Sequence, residues 1–158
     1  MDTRLVVLNR LLEALAVPVD VTSIDARKKM QKAVYLAQAS GLKLGYAYGW
    51  YLLGPYSTGL ARDYYALAST LGPDAPAGAE LRDDVRAGLA PLREALNVPQ
   101  GVQLSAPQWF ELLSSVHFLR KVRGLTTPDA NLVLLKEKPE VAPFADRAAE
   151  ALGAAQLL

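Results

Sequence analysis

From Arg27 to Ser57 the chain reads RKKMQKAVYLAQASGLKLGYAYGWYLLGPYS, the one stretch that departs from ordinary amphipathic helix. Four cations, Arg27, Lys28, Lys29 and Lys32, crowd its first turns, and five aromatic rings follow between Tyr46 and Tyr56. The first half has helical periodicity. Met30, Ala33, Val34 and Ala37 form one stripe, while Lys28, Lys29 and Lys32 lie together on another side. Gly41 is suited to stop that helix. The second half changes period: Tyr46, Tyr48, Trp50 and Leu52 fall on alternate positions. That spacing predicts a short strand or extended hairpin arm between Leu42 and Leu53, weakened by Gly45 and Gly49. Gly54 and Pro55 read as turn chemistry, because glycine tolerates positive φ and proline fixes its own.

Helical spacing dominates the rest. Leu5, Leu8, Leu11, Leu12 and Leu15 predict a first helix over Thr3 to Leu15, stopped before Pro18. Thr22 with Asp25 three residues on has capping-box spacing for the second helix. Ser57 or Thr58 caps a third, with Leu60, Tyr64, Leu67 and Leu71 inward. Leu71 to Gly78 is the clearest loop and a candidate hinge. Beyond it Leu81, Val85, Leu89, Leu92 and Leu96 keep helical spacing, with Pro91 bending or splitting the element. Ser105 and Gln108 have the spacing of a second capping box, ahead of Trp109, Leu112, Leu113, Val116 and Leu119. Thr127 with Pro128 opens a helix to about Glu137. The Ala-rich tail after Pro139 predicts a last helix that ends unanchored at Leu158. The expected fold is mostly α: a multi-helix single domain over 1–158 with a short aromatic β-like arm or hairpin. Subregions 1–71 and 79–158 would be joined by the loop 72–78, the first loosely winged-helix-like in its order of elements.

Composition narrows function more by exclusion. A chain of 158 residues is one domain's worth, and that size buries roughly 68–70% of the surface the unfolded chain exposes. With 17 basic and 16 acidic residues the net charge is +1, so no global field steers nucleic acid or anionic lipid toward it. The sequence has no cysteine and one histidine, which excludes disulfides, thiol catalysis, and cysteine- or histidine-rich metal sites. No apolar run approaches the roughly 20 residues of a membrane-spanning helix, and the first 20 residues lack a signal-peptide cleavage pattern. The expected compartment is the cytoplasm.

Candidate chemistry is thin. His117 stands between Val116 and Phe118 on a leucine-rich helix with no predicted nucleophile or orienting acid beside it. Asp83 and Asp84 sit between Arg82 and Arg86 in the pattern of a solvated helix face. No phosphate-cradling glycine loop is present. The basic cluster reads either as a solvated helix flank or as a phosphate grip. The aromatic run reads first as core packing, with Tyr51 and Tyr56 pointing elsewhere, free for contact. Arg62 and Tyr65 on the following helix extend that surface. The expected contact set is Arg27, Lys28, Lys32, Tyr51, Tyr56 and Arg62, with no catalytic residue, metal or cofactor.

The segments KKMQKAVYLAQASG, Trp50 and YLLGPYS resemble the YwgA-like family of small bacterial and archaeal proteins, and WFELLSSVHFLRK and LKEKPE resemble its second half. A more distant likeness is to the Panacea antitoxin domain, which pairs a similar helix with a tryptophan and a Gly-Pro turn. The resemblance places Lys29, Gln31, Lys32 and Tyr35 on the motif helix, and Trp50, Gly54, Pro55, Tyr56 and Ser57 on the strand and turn. In this reading Tyr35 packs on Trp50, Gln31 bonds the turn and the Ser57 hydroxyl caps the next helix. The likeness implies a non-enzymatic module that docks a partner protein, such as a toxin or defence effector. A winged-helix-like nucleic-acid-binding regulator is the alternative, and the apolar composition is compatible with a homodimer.

Overall fold

A computed structural model describes residues 2–70 and 80–158. It is mostly helical, with one small antiparallel hairpin. Helix α1 spans Thr3–Ala14 and α2 Ile24–Ala39; strands β1 (Gly49–Tyr51) and β2 (Gly54–Tyr56) form the hairpin, and α3 spans Thr58–Thr70. The second half comprises α4 (Asp83–Gly88), α5 (Ala90–Ala95), α6 (Ala106–His117), α7 (Thr127–Glu137) and α8 (Ala145–Ala154). A π-helical turn, Phe118–Val122, prolongs α6, and a 3-10 turn, Ala142–Phe144, precedes α8. The expected hinge at 72–78 and the inward role of Leu71 fall outside the described residues.

Local chemistry explains most boundaries. The second helix is capped by Ser23, whose Oγ accepts the Ala26 N–H at 3.0 Å. Thr22, the expected cap, is instead folded onto Asp20, which accepts both its amide and its hydroxyl at 2.8 and 2.6 Å. The Ser105–Gln108 capping box forms as its spacing predicts, and Pro91 sits in the first turn of α5, splitting the run into α4 and α5 at Leu89. The tail departs from expectation. Leu157 is buried and its N–H reaches the Leu152 carbonyl at 2.8 Å, so the last turn folds back on the core.

Helices α2 and α6 pack against each other at the centre, α8 covers α6, and α1 lies on α3 and α2. Strand β2 contacts both central helices, so the hairpin is wedged onto the α2–α6 pair. The hairpin is shorter than its sequence suggests. Only Gly49–Tyr51 and Gly54–Tyr56 pair, with Trp50 opposite Pro55, and the turn falls at Leu52–Leu53. Gly54 and Pro55 therefore belong to a strand, a correction to their reading as the turn. From Leu42 to Tyr48 the chain forms no strand: the Leu44 N–H turns back to the Leu42 carbonyl at 3.1 Å and Gly45 takes a positive φ of +81°. Leu52 leaves the buried face that alternation assigned it, because the turn projects it into solvent at 88% exposure.

A candidate docking surface on a buried polar frame

Helix α2 fixes the arm with amides and an ammonium. Gln38 donates to the Tyr46 carbonyl at 2.9 Å and accepts the Tyr46 N–H at 3.1 Å. Two turns earlier Gln31 does the same for Ser57, at 2.9 Å each way. Each side chain supplies the donor and acceptor that a neighbouring strand would supply, which satisfies backbone groups of a segment that has no such strand. Between them the Lys32 ammonium donates to the Pro55 carbonyl. Ser57 then caps α3, its Oγ accepting the Leu60 N–H at 3.2 Å. The expected roles of Gln31 and Ser57 hold, with Ser57 itself as the group Gln31 grips.

A second set of bonds ties the hairpin to the later helices. Glu111 on α6 accepts Lys28 on one oxygen at 2.8 Å and Lys138 on the other at 2.9 Å. Lys138, at the end of α7, also donates to the Leu52 carbonyl at 2.7 Å. One carboxylate thus links α2, the hairpin turn and α7. Burial alone would raise the Glu111 pKa, but hydrogen bonds from Lys138 and Lys28 outweigh it and hold the group below the usual carboxylate range. Lys32, only 1% exposed, is governed by burial. Glu111 offsets that only in part, and the charges of Lys138 and Lys28 add to it, so its pKa falls to about 7.

Gly54 is where the frame is tightest. Its φ is +95°, and a Cβ there would lie 2.7 Å from Ser115 Oγ and 3.6 Å from Lys32 Nζ. Ser115 Oγ is buried without a hydrogen-bond partner. On the far side Tyr35 meets Tyr48 edge-on and places its hydroxyl 2.7 Å from His117 Nδ1. Trp50 stacks on Phe118, with ring centroids 5.5 Å apart, so Phe118 takes the place against Tyr35 that the sequence reading gave to Trp50. Arg123 and Lys138 approach the Trp50 ring at 5.4 and 5.3 Å. His117 is buried, and burial, followed by the Lys121 charge, lowers its pKa to about 4.

The expected contact set therefore divides. Lys32 is buried and faces inward, so it is not a contact residue: its ammonium supports Pro55. Lys28 is half-buried and committed to Glu111. Lys29 lies over the Phe110 ring at 5.5 Å. Arg27 is half-buried, its guanidinium donating to the Val21 carbonyl at 2.7 Å. Tyr51, 52% exposed, meets the half-buried Tyr56 edge-on at the hairpin, and Arg62 is exposed on α3.

Sequence reasoning missed Glu111 and Lys138 as the frame's clip, and Ile24, Leu52 and Leu53 as exposed apolar groups. A lone carboxylate inside the apolar run WFELLSSVHF was the available signal for Glu111, since such a charge needs partners when buried. Beside the clip opens a polar cleft of about 500 Å³, lined among others by Asp25, Gln108, Glu137 and Glu140. Among the described residues no group of three or more acidic or imidazole side chains converges as a metal site, and no helix is long and apolar enough to cross a membrane. No protein-family model matches the sequence, and comparison with curated proteins and with solved structures finds no similar chain.

Proposed function

We propose that this chain is a non-enzymatic module that docks a partner protein, working in the cytoplasm. One observation carries the reading. Ile24, Tyr51, Leu52, Leu53 and Tyr65, large apolar side chains 38–88% exposed, belong to the start of α2, the hairpin and α3, elements joined by the polar frame. Grouped apolar exposure of this kind marks interaction sites, and a rigid support lowers the ordering cost of binding. Three buried ionisable groups are engaged in holding the frame: Glu111 by two lysines, Lys32 by a carbonyl, His117 by Tyr35. A toxin or defence effector is the partner class that the likeness to the YwgA-like and Panacea groups suggests. Nucleic-acid binding ranks second, because Lys28 and Lys32 are withdrawn from the basic cluster.

The experiment is affinity capture from the source cells with the wild-type chain, Leu52→Asp and Tyr51→Ala. Leu132→Asp, which changes an exposed leucine on α7, is the control. A partner retained by wild type and by the control, and lost with both hairpin variants, is the expected outcome. Retention by all four chains, or capture of nucleic acid that falls away steeply with salt, contradicts the proposal.

A further inference from the structure

A groove of about 290 Å³ is lined by residues of α2, the hairpin and α3. Its apolar surface comes from Ile24, Leu53, Tyr56 and Tyr65, with Gln31 in its wall. Ile24, 62% exposed, and Tyr65, 48% exposed, stand open to solvent on its two helical walls. The wall contributed by α2 carries Ile24, Arg27, Lys28 and Gln31, the i, i+3, i+4, i+7 positions of one face, so it is about 10 Å long.

Resting on the partner-docking reading, we propose that this groove receives an amphipathic α-helix of a partner protein, apolar on one face and acidic along its flanks. Two observations select that occupant. First, most of the groove's walls are helix interiors whose N–H and C=O groups are already paired, and both polar atoms of the Gln31 side chain are held by Ser57. An extended peptide would find few main-chain partners there, whereas a helix satisfies its own backbone and offers only side chains. Second, the charge is one-sided. Among the described residues no acidic side chain lines the groove, and of its two cations Lys28 is taken by Glu111 while Arg27 is not paired with an acid. Among the described residues neither Arg27 nor Arg62, three residues before Tyr65, is paired with a carboxylate. Carboxylates on the incoming helix would meet the Arg27 guanidinium in the groove wall, with Arg62 on the same helix as Tyr65 adding to the field, and charge complementarity of this kind sets orientation and on-rate. Apolar residues at i, i+3 or i+4, and i+7 would fill the floor.

The test uses the full chain as bait for a displayed library of helix-favouring peptides of about 18 residues, long enough to be helical alone. The expected result is enrichment of peptides with Leu, Ile, Phe or Met at that spacing and Asp or Glu beside them. Their affinity should fall about tenfold or more on Ile24→Asp or Tyr65→Ser, two exposed positions whose change leaves the melting curve in place. Arg27→Glu with Arg62→Glu should turn the selection away from acidic peptides. Enrichment of basic or charge-indifferent peptides overturns the inference, as does no enrichment at all. Loss of binding to a labelled mixed-sequence duplex on Arg27→Glu overturns it in favour of nucleic acid. Peptides that survive Ile24→Asp yet are lost with Leu52→Asp sink the groove while leaving partner docking at the hairpin intact.

Discussion

Lys32 was expected on the contact surface, and the fold instead encloses it. The reason is the need of Pro55: a strand carbonyl facing α2 and α6 requires a donor, and the ammonium supplies it. The consequence is a pH dependence with a definite sign. The folded pKa of about 7 lies below the ordinary 10.5, so between those values the unfolded chain holds a proton that the folded chain has released. Stability therefore rises with pH through that window and is lowest below pH 7. Above pH 10 buried tyrosines with raised pKa, Tyr35 and Tyr48 among them, pull in the opposite direction. Urea denaturation of wild type from about pH 6.5 to 9.5 should show the rise, and Lys32→Met should flatten it. An unchanged slope in the variant would show that another group titrates.

Gly54 makes a second residue-scale case. Gly54→Ala faces both a positive φ and the Ser115 hydroxyl. It should cost about 1–3 kcal/mol from backbone strain alone, with the contact added. Adding Ser115→Ala should recover only the contact, since the φ remains unfavourable, and the single change Ser115→Ala should be close to neutral because the hydroxyl has no partner to lose. Thermal denaturation of the three variants checks this, and full recovery in the double variant would show that strain at Gly54 is negligible. From sequence, Gly54 looked like a turn residue. Its positive φ was legible, whereas the neighbour that makes it indispensable lies on α6, 61 positions later.

At the scale of elements, helices were legible wherever apolar spacing coincided with a capping signal, as at Ser105–Gln108 and at Pro91. The arm was legible as aromatic and as carrying a short strand, but not as a segment held by side chains. Alternation from Tyr46 to Leu52 suggested a strand because a period of two records only which side is buried. It does not record what pairs with the backbone, and here two glutamines of α2 take that role for Tyr46 and Ser57. The Glu111 clip was equally hidden. Lys28 and Lys138 are 110 positions apart, and only the packing of α2, α6 and α7 brings them to one carboxylate.

For the whole molecule, the account is a helical body that carries a short, polar-stapled hairpin as a stiff docking platform. A two-stranded hairpin alone is at best marginally stable in water, so its order must come from α2, α6 and Lys138. The most direct measurement is amide hydrogen exchange at the β1 and β2 positions in wild type and in Glu111→Gln. That change leaves the buried Lys138 ammonium and the half-buried Lys28 ammonium without their carboxylate and should cost about 3–5 kcal/mol. The account predicts hairpin protection in wild type comparable to that of α2, lost in the variant before that of α1. Hairpin amides that exchange in wild type as freely as an isolated hairpin would contradict it.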